Sequence, residues 1–328
     1  MNSPVRPLQE RIQAFRGKCV IVLGDVMLDA FTWGQVTRIS PEAPVPVVEV
    51  LGETYRPGGS ANVSTNIRAL GGRPLTVAVV GKDAPGRCLV SLFESEDLDA
   101  GLLVEDDRAT TVKTRIIAHN QQVVRTDRED RAPLSGLVKQ ALVDRFLGAL
   151  PQADAVVVSD YDKGVVGQEV LRQVLPAAER ARIPVFLDPK VPHADYYRPV
   201  TVITPNIREA ELLTGRPIRD TAGVEEAGRA LLDRFGCPWV LITRGKEGMS
   251  LFRTGAVHHF PAVAREVFDV SGAGDTVVAT LALARAGGAD VPEAARLANH
   301  AAGIVVGKIG TAVVTRDELR DLLDRLDG

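Results

Sequence analysis

The residues best suited to chemistry stand at the start of an apolar segment, in "DVSGAGDT" over 269–276. Gly272, Ala273 and Gly274 lie directly before Asp275, and glycine weakens a helix unless its bare backbone serves a purpose. Two readings compete. A short acidic residue in such a place can simply cap a helix. Alternatively, unhindered N–H groups and the positive helix end receive a phosphate while Asp275 accepts a proton. A second glycine-rich helix entry, "RPGGSANVSTNIRALGG" over 56–72, carries Gly58, Gly59 and Asn62. One glycine pair is ordinary turn punctuation, but two such entries in one chain favour the phosphate reading. In "TPNIREAE" (204–211), Asn206 and Glu209 are three apart at a helix start and share a face. An amide and a carboxylate so placed can hold magnesium-bound waters, or can cap the helix they open.

These residues need elements to hold them. Apolar runs typical of buried strands occur at 19–24, 75–81, 153–159, 183–188, 200–205 and 239–245. Helical patterns lie between them, at 60–71, 135–149, 167–181 and 222–235, and an alanine-rich helical region spans 273–326. Strands alternating with helices predict an α/β fold, with a mostly parallel sheet covered on both faces. Two stretches break the rhythm. Residues 31–56 include "PEAPVPVVEV", whose prolines suit only an edge strand, and 109–128 read as a hairpin turning at His119-Asn120. Together they predict a small β-sheet lid inserted in a single domain over 1–328.

Composition excludes several classes. With 45% hydrophobic and 25% charged residues among 328, the chain can bury a large core. A net charge of -3 carries no nucleic-acid signature. Cys19, Cys88 and Cys237 are scattered and odd in number, which suits reduced, buried thiols and neither a disulfide frame nor a zinc site. His258 and His259 are adjacent, so a strand would point them to opposite faces. The opening "MNSPVRPLQERIQAFRGK" lacks the apolar run of a secretory signal, and no transmembrane-length segment follows. A cytoplasmic protein without a membrane partner is expected. Standard nucleotide loops are missing. In "GIVVGK" (303–308) three residues separate the glycines where a Walker A loop needs four, and Ile309 replaces its Ser or Thr. "GAGDTV" ends in valine and is not a dinucleotide fingerprint.

The two glycine-rich segments and "TPNIRE" resemble the two signatures and the N-x-x-E motif of the ribokinase-like sugar kinases, the PfkB family. The resemblance runs from about Lys18 to Leu326, and "GAGD" is its most specific part. Within the family, "GDVMLD" (24–29), "RISPEAPVPVVEV" (38–50), "NQQVVRTD" (120–127) and "SDYDKG" (159–164) are most similar to kinases of D-glycero-β-D-manno-heptose 7-phosphate. Bifunctional members of that group carry an added adenylyltransferase domain with an H-x-G-H motif. No such motif occurs here, so the stand-alone kinase is the expected counterpart.

The resemblance implies a doubly wound domain with a β lid, ATP and Mg²⁺ as cofactors, and a homodimer formed through the lid sheets. Asp275 would be the base, and the N–H groups of Gly272, Ala273, Gly274 and Asp275 would receive charge on the transferred phosphoryl group. The helix end should help keep Asp275 ionised. Asn206 and Glu209 would position Mg²⁺ through water. Thr243, Arg244, Gly245 and Gly248 of "TRGKEGMS" would line the nucleotide site, with Asn299 near the adenine. On residue chemistry alone, those glycines serve any hairpin and Asn299 is a satisfied polar group in a helical core. Asp29, Gly58, Gly59 and Asn62 carry over as sugar contacts, the glycines letting the ring approach the backbone and Asp29 accepting two hydroxyls.

A phosphorylated substrate also needs cations. Lys113 and Arg115 are two apart on a strand and face the same way. Arg38, Arg125, Lys163 and Lys190 complete that set, with Asp160 on the sugar side, although most surface Lys and Arg are merely solvated. Ser271 stands where many relatives have threonine, and some members bind a monovalent cation beside this signature. Two rivals stay open: a kinase for ribose, fructose 1-phosphate or a nucleoside, and a noncatalytic sugar- or nucleotide-binding regulator. The complete "GAGD" with Asp275 speaks against the regulator.

Overall fold

The computed structural model describes residues 5–119, 121–263, 267, 269–308, 310 and 312–327. Asn120 of the expected lid turn and Ile309 of the Walker comparison lie outside them. In chain order the strands are β1 (Cys19–Gly24), β2 (Val26–Ile39), β3 (Pro46–Gly59), β4 (Arg73–Gly81), β5 (Leu103–Asp106), β6 (Val112–Ala118) and β7 (Gln121–Arg128). There follow β8 (Ala155–Ser159), β9 (Val185–Asp188), β10 (Val202–Ile203), β11 (Trp239–Thr243), β12 (Met249–Arg253) and β13 (Ala256–Phe260).

Strand β1 shows why the large sheet is covered on both sides. Val20 and Val22 join one apolar cluster and Ile21 and Leu23 the other, all fully buried, as period-two side chains of a doubly covered strand must be. Helices Ser60–Ala69, Ala273–Ala286 and Val291–Val305 form the first layer. Helices Gly136–Ala149, Gln168–Arg180 and Thr221–Phe235 form the second. The sheet order is β13-β12-β11-β10-β9-β8-β1-β4-β5, parallel from β11 through β5. The antiparallel β12–β13 hairpin adds the far edge; β12 is buried except at Arg253, and β13 is half-buried to exposed.

Strand order reverses at β1, which is flanked by β4 on one side and β8 on the other. In open α/β sheets the crevice outside the carboxyl ends at such a point holds ligands.

The remaining strands form a separate sheet, β3-β2-β6-β7, with β2 and β6 parallel and the outer pairs antiparallel. This is the lid, and proline-bearing β3 lies on its edge as expected. It begins earlier and ends later than 31–56, since β2 follows β1 after Asp25 alone and β3 runs directly into the Ser60–Ala69 helix. Cys19 and Cys237 are buried thiols and Cys88 is half-buried. No helix among the described residues is long and apolar enough to cross a membrane.

Candidate active site

Gly272 caps the Ala273–Ala286 helix at φ 78°, a left-handed conformation that glycine adopts at little cost. It sets Asp275 in the first turn, buried, at the crevice. Asn62 Nδ2 donates to Asp275 Oδ2 at 2.7 Å, and the Tyr161 hydroxyl donates to Oδ1 at 2.6 Å. Asn62 is held in turn, because Asn66 Nδ2 donates to its carbonyl at 2.9 Å and Thr276 Oγ1 donates to Asn66 Oδ1 at 2.9 Å. Burial pushes the Asp275 carboxyl up to about 6; the Tyr161 and Asn62 hydrogen bonds and Lys190 oppose this, and Asp29 adds to it. The helix end is expected to help keep Asp275 ionised; burial is the larger influence, yet the group is still mainly a carboxylate at neutral pH.

Above Gly274 a Cβ would meet nothing within 4 Å, so this turn is open to a ligand. Of the four N–H groups expected to face phosphate, that of Ala273 is engaged with the Val270 carbonyl at 3.2 Å. The first-turn N–H groups of Gly274 and Asp275 have no intrahelical acceptor by helix geometry.

The Tyr161 loop hangs from Asp25. Asp25 Oδ2 accepts from the Tyr161 and Lys163 N–H groups at 2.9 and 3.1 Å, and Oδ1 accepts from Val165 N–H at 3.0 Å. Burial, then Asp160, pushes Asp25 up to about 6 against those bonds. Asp25→Ala removes one acceptor from three backbone donors, each worth ~1–3 kcal/mol when orphaned in the interior. We expect a loss of at least about 3 kcal/mol in urea unfolding, and less for Asp25→Asn, which keeps a carbonyl oxygen. Wild-type midpoints in both variants would remove the anchoring role.

Asp160, expected beside the sugar, is instead an internal anchor. It is fully buried, and its oxygens accept from Asp162 N–H at 2.7 Å, the Tyr197 hydroxyl at 2.5 Å and His193 Nδ1 at 2.6 Å.

A cavity of about 910 Å³ opens beside Gly274. Asn206, Glu209, Thr243, Arg244, Gly245, Gly248 and Asn299 all line it, with Ala273 and Gly274. The expected nucleotide residues therefore converge. Asn206 and Glu209 do form a capping box, at 2.9 and 3.0 Å, and they face the cavity as well. Glu209 Oε1 also takes the Lys190 ammonium at 2.7 Å. Asn299 donates to the Pro261 carbonyl at 2.8 Å, just past β13, so its amide is already engaged.

Lys190 was expected with the lid cations but lies on this wall, because its loop follows β9 in the large sheet. Burial pulls its pKa down, but Asp188 and Glu209 outweigh that and leave it raised. Asp188 lines the same wall, its carboxyl pushed well up by burial and then by Glu209.

On the lid side, Asp29 is buried and pairs through Oδ1 with Arg115 Nη1 at 2.6 Å, so one of its two expected hydroxyl-accepting oxygens is already engaged. A Cβ on Gly58 would lie 2.3 Å from Asp29 Oδ2, and one on Gly59 would lie 2.4 Å from the Asp25 carbonyl. Internal packing alone thus demands these glycines, whatever the sugar requires. Sheet register sets Lys113 opposite both Asp29 and Asp127, and Arg115 opposite Phe31 and Arg125, on one face as expected.

The other cations differ in their engagements. Arg125 pairs with Asp127 at 2.9 Å and Lys163 with Glu129 at 2.9 Å. Arg38 is exposed near the far end of β2, roughly 30 Å from Asp29 at ~3.3 Å per residue, and cannot reach the same ligand within this chain. Lys113 has no ion pair among the described residues; its ammonium lies over the Tyr161 ring, 5.7 Å from the centroid. Burial lowers its pKa, opposed by Asp29 and Asp127.

Sequence reasoning gave Tyr161, Asp188 and Asp25 no role, although Asp25 lies in "GDVMLD" and Tyr161 in "SDYDKG". They share one signal: each sits at or just past the carboxyl end of a central parallel strand, β8, β9 or β1.

Comparison with known proteins agrees with this geometry. The chain is 48% identical over 322 residues to bifunctional protein HldE of Paramagnetospirillum magneticum, covering 98% of this chain and 66% of that protein. It is 51% identical over 310 residues to bifunctional protein HldE of Caulobacter sp. strain K31, covering 94% and 63%. The chain thus spans less than two thirds of the length of these curated relatives. The fold is that of phosphofructokinase-2 from Escherichia coli in complex with substrates and products, at TM-score 0.80 and 22% identity over 95% of this chain and 100% of that one. Arabidopsis thaliana ribokinase complexed with ribose and ATP superposes at TM-score 0.74 and 20% identity, over 94% and 99%. Residues 18–317 match the pfkB family carbohydrate kinase profile, and with the ribokinase-like fold around Asp275 this chain belongs to the PfkB family of carbohydrate kinases.

Proposed function

We propose that the chain transfers the γ-phosphoryl group of ATP to O1 of D-glycero-β-D-manno-heptose 7-phosphate, giving the 1,7-bisphosphate, a step towards ADP-heptose for the lipopolysaccharide core. The observation that carries the substrate choice is Lys113. It is a half-buried ammonium on the lid face with no ion pair among the described residues, over the tyrosine that touches Asp275. A neutral sugar would leave it desolvated and unpaired, whereas a sugar phosphate supplies its partner. The sequence likeness to bifunctional protein HldE supports the same reading.

Asp275 takes the O1 proton as that oxygen attacks phosphorus, while Asn62 and Tyr161 hold the carboxylate in place. The first-turn N–H groups, chiefly those of Gly272, Gly274 and Asp275, receive the charge that develops on the phosphoryl oxygens. ATP fills the cavity lined by Thr243, Arg244 and Asn299, with its phosphates towards Gly274 and Lys190. Asp29 keeps lone pairs for sugar hydroxyls.

The donor set at Asp188, Asn206 and Glu209 is oxygen-rich but holds no complete cage, since no group of three or more His, Cys, Asp or Glu suited to a metal occurs among the described residues. That suits Mg²⁺, which keeps its waters and leans on one or two carboxylates plus phosphate. When bound, the ion neutralises phosphate charge. Exposed Ile39, Val50 and Leu51 on the lid favour a homodimer through that sheet, in the cytoplasm where ATP is found.

The test is ATP-dependent ADP release with ribose, fructose 1-phosphate, free heptose and heptose 7-phosphate, with products identified by NMR. We expect kcat/KM for the 7-phosphate to exceed the others by about 10² or more. Equal turnover of ribose or free heptose would remove this substrate and leave only the sugar-kinase class.

A further inference from the structure

We infer that Tyr161 is a positioning residue for Asp275: its hydroxyl fixes the carboxylate, and its ring seats the lysines on the acceptor and donor sides. This rests on the reading of Asp275 as the base. Tyr161 lies in the "SDYDKG" stretch, which by itself assigns it no role, yet four observations converge on it. Its hydroxyl is 2.6 Å from Asp275 Oδ1. Its backbone is tied to buried Asp25 at 2.9 Å, so the ring cannot easily retreat. Lys113 from lid strand β6 and Lys190 from the loop after β9 each place an ammonium 5.7 Å from the ring centroid. Lys190 also reaches Glu209 at 2.7 Å, which links this ring to the wall of the nucleotide cavity.

The hydroxyl can act only as a donor to a carboxylate, because burial and the charge on Asp275 hold its own proton firmly in place. A donor to the ionised form favours ionisation. The groups facing Asp275 are Asn62 from the Ser60–Ala69 helix, Tyr161 after β8, Asp29 on β2, Lys190 after β9 and Asp188 at the end of β9. Asn62, Tyr161 and Lys190 favour the carboxylate, and burial with the two other acids opposes it. Without the tyrosine donor, Asp275 ionises at higher pH.

The experiment compares Tyr161→Phe with wild type, using ATP and heptose 7-phosphate from pH 5 to 9. The ring and its lysine contacts remain in this variant, and only the hydroxyl is lost. We expect the acid limb of kcat/KM, near pH 6 in wild type, to move up by about one pH unit. That makes the variant about tenfold slower at pH 5.5 and within about twofold of wild type at pH 8.5. Carboxyl ¹³C NMR of the ligand-free chain needs no substrate and should show the Asp275 midpoint rising by the same amount. Site-specific 3-fluorotyrosine at position 161, a stronger donor, should move that midpoint down, and it serves if the phenylalanine variant fails to fold. A merely structural tyrosine would lower kcat equally at every pH. Such a flat loss, or an NMR midpoint unmoved by either change, overturns the inference even with Asp275 still the base. Activity surviving in Asp275→Asn would instead sink the reading of the base.

Discussion

Asp275→Asn should lower kcat by about 10²–10⁴-fold while ATP binding and the fold persist, because a positioned general base contributes that much and the amide keeps the shape. The carboxylate sits in the first turn of a helix buried over most of its length, fixed by two side-chain donors from different elements. The amide offers one acceptor oxygen where the carboxylate offered two, and it has no site for the O1 proton. Its oxygen can still take the Tyr161 hydrogen bond and so hold that loop, while the Asn62 amide loses its acceptor on the other side. In wild type the sign of the pH dependence follows from burial. A carboxyl raised to about 6 is protonated and inactive below that pH, so kcat/KM should rise through pH 6 and level off above it. Single-turnover phosphoryl transfer, ATP titration and circular dichroism on the variant provide the check. Near-normal turnover would take the base assignment away from Asp275.

Lys113→Met should lower kcat/KM for heptose 7-phosphate by roughly 10²-fold, the scale of ~2–3 kcal/mol for one charged, partly desolvated contact, and by under about threefold for free heptose. The contrast matters more than the size. Arg115, Arg125, Lys163 and Lys190 each already have a carboxylate at 2.6–2.9 Å, so each would have to share or give up a partner to bind a phosphate. Lys113 gives up no ion pair, and the charge of a phosphate would offset the effect of burial that lowers its pKa. Methionine preserves much of the chain's bulk against Tyr161 and removes the charge. The salt dependence of the wild-type preference should fall with it. An equal loss on both sugars would place Lys113 in the reaction itself and remove it from substrate choice.

The sequence by itself determined the layered α/β fold and picked out much of the cavity wall proposed to hold the nucleotide. Apolar runs such as Cys19–Gly24 can be buried on both faces only in a covered sheet, and the paired glycine-rich helix starts with "TPNIRE" mark residues that the fold brings to one crevice and its cavity. Local spacing was enough there, because each motif lies within a turn or two of one helix. Spacing also set Lys113 and Arg115 on one strand face. What spans elements was decided only by tertiary structure. Tyr161 meets Asp275 across 114 positions and Asn62 meets it across 213, contacts set by strand order at the β1 switch point rather than by any repeat. The same order made Asp160 an anchor, placed Lys190 on the cavity wall and left Arg38 out along a long strand. It also decided which cations were paired, because a cation's availability depends on which carboxylate the fold sets against it. That information lies in long-range packing, which no local pattern of residue types contains.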